Sequence, residues 1–572
     1  MIKERGEFSM LNEVPFTSSD RMLVRHLRED WAENNYWVLL AAAFCNLSVR
    51  EGHTYFDLQA PQLSSVSVPR SWPDLARWQE LLAASRIVGD ESTSDDRPLI
   101  LSGSSCLYLE KYYRYERRLA EQIRNRARGR ASTPVIKDPV ERAAQRSFFV
   151  ITGGPGTGKT TLALRYLDRL LNVWTEQRPA RFAAIAPTGK AAARLAESIS
   201  NGVQRLEVNE KRKEELKSIP CLTIHRLMGT LPHRASFRRS PRHPLAYDAL
   251  VVDESSMIDL PLMMRLFEAL PPRCQVLLLG DKDQLASVDV GSVLSDILLA
   301  AESGESILSD SVERLIKTYR FSEDSGIYQL CTLAKEGDLD AFNRFLEAPP
   351  DDVRFHRLES GAKRIPNELV QLGLAQHRRL SKSKNARLAL GELGKSMMLT
   401  PTRNGPFGTI EYNRRVRQQV LSQLDLVGGD DLPFHGEPII VLENDYELEL
   451  FNGDIGLIWE DGDGLFACFE SATSGVRKFR ATELPRYESA FALTIHKSQG
   501  SEFDCVNCLF GPDAGLNLTR ELIYTAFSRA KKELVVFGVA ESMRLGITQQ
   551  AVRATRLAEL LSEKEDFRNQ QS

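Results

Sequence analysis

The feature that most constrains this chain is Gly153-Gly154-Pro155-Gly156-Thr157-Gly158-Lys159-Thr160, which fills every fixed position of G-x-x-x-x-G-K-[ST]. The apolar segment Phe148–Ile151 precedes it, and Leu162, Ala163, Tyr166, Leu167 and Leu170 follow on one helical face. A strand, loop and helix of this kind let backbone N–H groups converge on phosphate oxygens at a helix N-terminus, where the dipole favours anions. Lys159 adds a point charge between the β- and γ-phosphates, the Thr160 hydroxyl is expected to ligate Mg²⁺, and Thr161 completes the nucleotide-binding stretch. ATP and Mg²⁺ are therefore the expected cofactors. Such a loop needs a parallel sheet around it. Phe182–Ala186, Leu250–Val252 and Val276–Leu279 supply one, as short apolar runs alternating with helical patterns predict a sheet buried on both faces.

Binding a nucleotide is not yet hydrolysing it, which also takes a carboxylate for the metal and a group to position water. Ala249–Val252 reads as an apolar strand ending in Asp253-Glu254, and open α/β sheets bind ligands at such ends. Asp253 is expected to act on Mg²⁺ and Glu254 to orient or deprotonate the attacking water. Taken alone, an acidic pair after a strand is an ordinary cap or surface charge. Beside the phosphate loop it becomes a candidate for catalysis. The next strand ends in Gly280-Asp281-Lys282-Asp283-Gln284-Leu285, where Gln284 is placed to sense the γ-phosphate.

A length of 572 residues allows three to four domains. With 74 Lys plus Arg against 77 Asp plus Glu, any polyanion site must be a local patch rather than a global field. Eight cysteines at no regular spacing exclude a disulfide framework and fit a reducing compartment. Cys505 and Cys508 form a C-x-x-C pair inside an apolar strand and read as core. The longest apolar run, Tyr36–Cys45, is too short to cross a bilayer and reads as a core helix; no membrane contact is expected. MIKERGEFSMLNEVPF lacks the apolar region of a secretory signal, so the expected location is cytoplasmic.

Residues 1 to about 115 mix helical patterns (Asp20–Phe44, Pro73–Ala84) with strand-like Leu99–Ser102 and Cys106–Leu109. Lys111–Arg130 holds eight basic and two acidic residues before Gly129, Ser132 and Pro134, which suggests an exposed helix entering a linker; a solvated face or a nucleic-acid contact would both fit. A second alternating stretch contains Met397–Leu399, Cys505–Phe510 and Leu534–Phe537. Within it, Pro438–Leu442, Asp454–Trp459, Leu465–Phe469 and Val476–Phe479 read as short strands, two joined by Asp461-Gly462-Asp463-Gly464, a barrel-like all-β insertion.

Beyond the phosphate loop, Ala186-Pro187-Thr188-Gly189-Lys190-Ala191-Ala192-Ala193-Arg194-Leu195, Thr223-Ile224-His225-Arg226-Leu227, Asp253–Met257 and Gly280–Leu285 resemble motifs Ia, Ib, II and III of superfamily 1 helicases. Tyr319-Arg320-Phe321, Thr494-Ile495-His496-Lys497-Ser498-Gln499-Gly500-Ser501-Glu502-Phe503 and Tyr524-Thr525-Ala526-Phe527-Ser528-Arg529-Ala530 resemble motifs IV, V and VI. Their order and wording are those of the RecD family of exodeoxyribonuclease V (RecBCD), strongly over residues 150–540. Gly52-His53 and Leu99–Leu109 are similar to that family's N-terminal domain, which docks on RecC. Free-standing members of the branch carry a longer N-terminal extension, so the length favours the complex subunit.

The resemblance implies an α/β chain with two RecA-like P-loop domains, ATP in the cleft between them and single-stranded DNA across their top. The implied layout is an N-terminal partner-docking domain (1–125), a first motor domain (135–315), a second (316–432 and 486–560) and a small β-barrel-like insertion (433–485). Lys159, Thr160, Asp253, Glu254 and Gln284 would come from the first motor domain. Arg320 and Arg529 would stabilise charge on the transferred phosphoryl group. Thr188, Lys190, Thr223, His225, Thr494, His496 and Lys497 would contact the DNA backbone, where hydroxyls and cations suit sequence-independent binding.

The implied function is an ATP-dependent 5′ to 3′ DNA helicase and translocase acting with RecB-like and RecC-like subunits on single-stranded and duplex-end DNA in break repair. A free-standing DNA or RNA helicase, or an ATP-binding structural subunit, is the alternative. The arginine-rich segment Leu231–Arg242, within 229–247, falls where the 5′ to 3′ branch carries a strand-splitting pin; a basic loop is the plainer reading. Two departures stand out. Ile136 occupies the position of the family's adenine-reading glutamine, and Phe527-Ser528 replaces the usual Val-Thr before Arg529.

Overall fold

The computed structural model describes residues 16–60, 73–93, 96–128, 136–231, 236–303, 306–322, 324–425, 432–445, 447–462, 464–471, 475–515 and 518–563. Residues 1–15 and the linker residues Gly129, Ser132 and Pro134 lie outside these, as do Pro232–Ala235 at the middle of the arginine-rich segment and Asp463 of the expected hairpin turn.

The N-terminal domain is α+β. A four-stranded sheet of order β1 (Tyr55–Asp57), β4 (Cys106–Leu109), β3 (Leu99–Ser102), β2 (Val88–Gly89) packs on three helices. The apolar run at Tyr36–Cys45 lies in the Tyr36–Arg50 helix, buried from Val38 to Cys45. The helical pattern over Asp20–Phe44 is two helices, because Ala32 turns left-handed at φ +49° and Asn35 caps the N–H groups of Trp37 and Val38.

The first motor sheet is six parallel strands in the order β10-β5-β9-β8-β6-β7: β5 (Phe148–Gly153), β6 (Phe182–Ala186), β7 (Cys221–Thr223), β8 (Ala249–Val252), β9 (Gln275–Gly280) and β10 (Val312–Leu315). Strand β5 lies between β9 and β10 rather than beside β6, so the phosphate loop leaves the sheet where its order reverses. Strands β6 and β8 are buried throughout, as both faces carry helices.

The second motor sheet is also all parallel, in the order β11 (Val353–Arg357), β20 (Ala530–Gly538), β19 (Phe503–Phe510), β12 (Ser396–Thr400), β18 (Ala492–Thr494). Cys505 and Cys508 lie in β19, and burial pushes both thiols up; all eight cysteines are free. The insertion between β12 and β18 is a five-stranded antiparallel sheet of β13 (Pro438–Val441), β14 (Ile455–Asp461), β15 (Gly464–Ser471), β16 (Gly475–Arg480) and β17 (Tyr487–Ser489). After β16 the chain crosses to the far edge, so β17 pairs with β13; among the described residues no ladder joins β16 to β17 into a closed barrel.

Two segments pack differently from expectation. The basic Glu110–Ala127 helix is not an exposed face. Tyr115, Leu119, Ala120, Ile123 and Ala127 enter the first motor core, and Arg126, 5% exposed, donates to the carbonyls of Leu270 and Pro271. The Leu557–Ser562 helix, assigned with the second motor domain up to 560, buries Leu557 and Leu561 in that same first-domain core. Among the described residues, no helix is long and apolar enough to cross a membrane.

Candidate nucleotide site and nucleic-acid face

The phosphate loop turns sharply because Gly156 and Gly158 adopt φ +74° and +86°, conformations that cost other residues strain. Gly158 caps the Lys159–Asn172 helix, whose first N–H groups face the loop. Thr157 Oγ1 donates to the Gly154 carbonyl at 2.8 Å. Lys159 Nζ donates to the carbonyls of Gly153 and, at 3.0 Å, Gly154. Gly156 also permits a close approach, as a Cβ there would stand 2.3 Å from Arg320 Cβ. The Gly156 carbonyl accepts from Tyr319 N at 2.8 Å, so the segment carrying Arg320 lies directly on the loop.

Asp253 follows β8 and its N–H donates to the Ile185 carbonyl at 2.8 Å. Burial, then the adjacent Glu254, hold its carboxyl well above the usual carboxylate range, against the pull of Lys159. Glu254 sits in the left-handed region at φ +50°, and its N–H donates to Asp253 Oδ1 at 2.9 Å. A non-glycine residue held there is strained, and such strain persists where the surroundings fix it. Gln284, 6% exposed, donates to Asp281 Oδ2 at 3.0 Å, and Tyr524 of the second motor domain donates to the same oxygen at 2.8 Å.

A cavity of about 1070 Å³ gathers these groups: Pro155–Thr161, Asp253, Glu254, Gln284, Arg320 and Arg529 all line it, while Gly153 and Gly154 lie at a neighbouring pocket behind the loop. One Arg320 Nη donates to Glu502, and the other is buried without a hydrogen-bond partner. Arg529, 3% exposed, donates to Thr525 O (3.1 Å), Ser501 O (3.4 Å) and Ser528 Oγ (3.1 Å). Arg194, Tyr319, Glu502 and Lys531 also line the cavity, roles that the residue-by-residue reading did not assign. Nothing in local spacing marks them: Arg320 and Glu502 are 182 residues apart. Thr160 and Asp253 both line the cavity and offer hard oxygen donors, a set suited to a divalent cation.

The expected DNA-contact residues sit at the C-terminal ends of parallel strands. Thr188, Thr223 and Thr494 follow or end β6, β7 and β18, and each hydroxyl accepts a backbone N–H of the next turn, from Ala191, Arg226 and Lys497 at 3.1–3.2 Å. His225 lies 5.8 Å from the Phe237 ring, and burial lowers its pKa; His496 is lowered by burial and then by Arg553. Lys497 pairs with Glu488 at 2.8 Å. Lys190 departs from a free phosphate-binding cation: burial, then Arg194, push it down to about 7, opposed by Asp454 and Glu470 of the insertion. The insertion covers the start of the Gly189–Arg205 helix, since a Cβ on Gly189 would stand 2.6 Å from the Phe451 ring. In the arginine-rich segment, Arg238 N and Arg239 N donate to Gly229 O (2.8 Å) and Met228 O (3.0 Å), and Thr230 bridges Phe237.

Three families match the chain: RecBCD enzyme subunit RecD, N-terminal domain, over residues 14–108; AAA domain over 137–290; and UvrD-like helicase C-terminal domain over 489–537. The RecBCD enzyme subunit RecD of Mycobacterium tuberculosis is 34% identical over 542 residues, 92% of this chain and 91% of that one. The ATP-dependent RecD2 DNA helicase of Deinococcus radiodurans is 28% identical over 91% of this chain and 68% of its own. Bacteroides Pif1 bound to ssDNA is similar over 71% of this chain and 92% of its own, at 16% identity and a TM-score of 0.37. With a third of its residues identical along nine-tenths of both chains, the protein belongs to the RecD family of RecBCD enzyme subunits.

Proposed function

We infer that this chain is the ATP-driven DNA helicase subunit of a RecBCD-type helicase–nuclease, moving 5′ to 3′ on single-stranded DNA beside RecB-like and RecC-like partners at duplex ends, in the cytoplasm. The observation that carries the reading is one cavity lined by Lys159, Asp253, Glu254 and Gln284 of one parallel-sheet domain and by Arg529 of the other, with Arg320 between them.

Backbone N–H groups of the loop and Lys159 would hold the β- and γ-phosphates. A divalent cation held by Thr160 and Asp253 would, when bound, neutralise charge between those phosphates. Glu254 accepts a proton from the water as its oxygen bonds to the γ-phosphorus and the β–γ bridge breaks, releasing ADP. Arg320 donates from its unpartnered Nη to the charge that develops, with Arg529 reaching the same centre as the domains close. A structural subunit would need neither arginine.

Thr188, Thr223, His225, Thr494, His496 and Lys497 form the DNA backbone contacts, joined by Lys190 once the insertion moves off the Gly189–Arg205 helix. Binding is then mostly electrostatic and weakens steeply with salt. The Thr230–Phe237 bridge supports a pin at 229–247.

The test is ATPase and unwinding by the chain with co-expressed RecB-like and RecC-like partners, on DNA with 5′ or 3′ tails. Glu254→Gln should lower DNA-stimulated turnover by about 10² or more with nucleotide still bound. Turnover within about threefold of the parent removes Glu254 as the base. Opening of 3′-tailed DNA alone by this motor overturns the polarity, and stimulation by RNA as well as DNA moves the substrate to RNA.

A further inference from the structure

Residues 553–556 leave the second motor domain after the Ala540–Thr548 helix and run as a strap between the N-terminal domain and the first motor domain. Ala554 N donates to His53 Nδ1 at 2.9 Å, and its carbonyl accepts from Thr54 N (2.9 Å) and Thr54 Oγ1 (3.1 Å). Thr555 Oγ1 donates to Asp296 Oδ1 at 2.8 Å, and Arg556 N donates to Glu116 Oε1 at 3.2 Å.

The densest contact is at Arg553. Its guanidinium donates to the carbonyls of Ser287 (2.5 Å), Asp289, Gly291 (3.2 Å) and Gly52 (3.4 Å). Three of these belong to the turn that directly follows Gln284 and Leu285, and the fourth belongs to the N-terminal domain. The same Gly52 carbonyl accepts from Gly291 N at 2.9 Å. Gly52 is required there, because it holds φ +93° and a Cβ would stand 2.5 Å from the Arg553 guanidinium. On its other side Leu285 is tied to the second motor domain: its N–H donates to Thr525 Oγ1 at 3.0 Å and its carbonyl accepts from Gln499 Nε2 at 3.3 Å. Gln284 is therefore followed at once by two anchors, Leu285 on the second motor domain and the Ser287–Gly291 turn on Arg553 and Gly52.

We propose that Arg553 is a positioning residue for ATP hydrolysis: by tying the Ser287–Gly291 turn to Gly52, it sets where Gln284 stands in the nucleotide cavity and connects the N-terminal domain mechanically to that cavity. Nη1 serves the carbonyls of Gly52, Asp289 and Gly291 and Nη2 that of Ser287, so the two nitrogens of one rigid guanidinium span the turn, whereas a lysine ammonium gathers its three donors at one point. Loss of the fork takes the donor from the Ser287 carbonyl and leaves those of Asp289 and Gly291 with the Ser287 hydroxyl alone, and the turn loosens. The inference rests on the hydrolysis reading above.

The test compares full-length Arg553→Lys, Gly52→Ala and Thr555→Val with the parent, by amide hydrogen exchange over residues 284–291, ATP-analogue affinity and DNA-stimulated ATPase. Arg553→Lys and Gly52→Ala should both exchange faster over 284–291 and lose about tenfold in kcat, with nucleotide affinity and KM changed by less than about twofold. Thr555→Val, which frees the strap from Asp296 but leaves the Arg553 fork, should keep the parental kcat. Unchanged exchange in Arg553→Lys, or faster exchange with kcat intact, overturns the proposal, as does an equal fall in kcat for Thr555→Val. If Gly52→Ala fails to fold, Arg553→Lys decides. A parent that binds nucleotide without turning it over defeats the hydrolysis reading instead, and the exchange data then judge the turn alone.

Discussion

The two motor sheets are built alike, as parallel strands covered by helices, yet they meet the nucleotide cavity with different parts of the chain. The first meets it with backbone. Its loop is shaped by Gly156 and Gly158 at positive φ, its phosphate-facing groups are N–H dipoles at a helix start, and even Glu254 is placed by a left-handed main chain. Strand β12 of the second sheet runs instead into Pro401-Thr402-Arg403-Asn404-Gly405, with no phosphate loop. That domain contributes by reaching side chains across: Arg529 and Glu502 into the cavity, Tyr524 to Asp281, Thr525 and Gln499 to Leu285. A backbone cradle is rigid and binds; side chains carried on a second body act only when that body is in place. On the proposed function, the first half holds ATP and supplies the base, and the second completes the charge stabilisation that hydrolysis needs.

The largest effect should come from removing a side chain of the second half. Arg529→Ala is expected to lower kcat by about 10³ with ATP-analogue affinity within a few fold, measured by steady-state ATPase and nucleotide titration. If affinity falls as far as turnover, the division between the halves is wrong. The backbone half is challenged by Gly156→Ala, whose Cβ would meet Arg320 Cβ at 2.3 Å in a conformation of φ +74°. Here nucleotide affinity should weaken by about tenfold or more, the equivalent of roughly 1–3 kcal/mol of strain. Unaltered affinity would show that the loop relaxes freely.

The smallest effect lies in the first half but away from the cavity, at Asp296, where burial pushes the carboxyl from 3.8 to about 8, opposed by the Thr555 hydroxyl and reinforced by Glu116. Glu116 is itself pushed up to about 7 by burial. A carboxyl that binds its proton more tightly when folded favours the fold at low pH, and that contribution is lost as pH rises from about 4 through about 8. Asp296→Asn should therefore melt a few degrees above the parent at pH 8, the gap closing towards pH 4, in thermal scans against pH. A gap of constant size would assign the shift elsewhere.

What could be read from the residues follows the same division. A cradle made of main chain demands fixed glycines, and β5, β6, β8 and β9 announce themselves because strands covered on both faces are continuously apolar. Strands β10 and β11 pass unnoticed: Val312-Glu313-Arg314-Leu315 and Val353-Arg354-Phe355-His356-Arg357 lie at sheet edges, where charged residues meet solvent. Arg320 and Arg529 are legible only through the resemblance to the family's motifs, because a guanidinium that enters a cavity from a distant segment has no local pattern. Lys190 shows the limit. Its place after β6 is legible, but the insertion that packs over the start of its helix, with Phe451 against Gly189, and the carboxylates Asp454 and Glu470 that oppose its lowered pKa come from a separate segment far along the chain.

The Leu557–Ser562 helix has a consequence for how the molecule is made. Leu557 and Leu561 fill the first motor core beside Ile123, Leu260 and Ile297, yet they are translated some 240 residues after β10 completes that sheet. At about 5–20 residues per second, a ribosome needs roughly 12–50 s to bridge the gap. Throughout that interval the groove between the Glu110–Ala127 and Val293–Glu302 helices presents apolar side chains to solvent. Nascent chains stalled before residue 557 are thus exposed to capture by chaperones or to aggregation at that groove, and a chain cut just before Leu557 would lose the cover of a domain encoded hundreds of residues upstream.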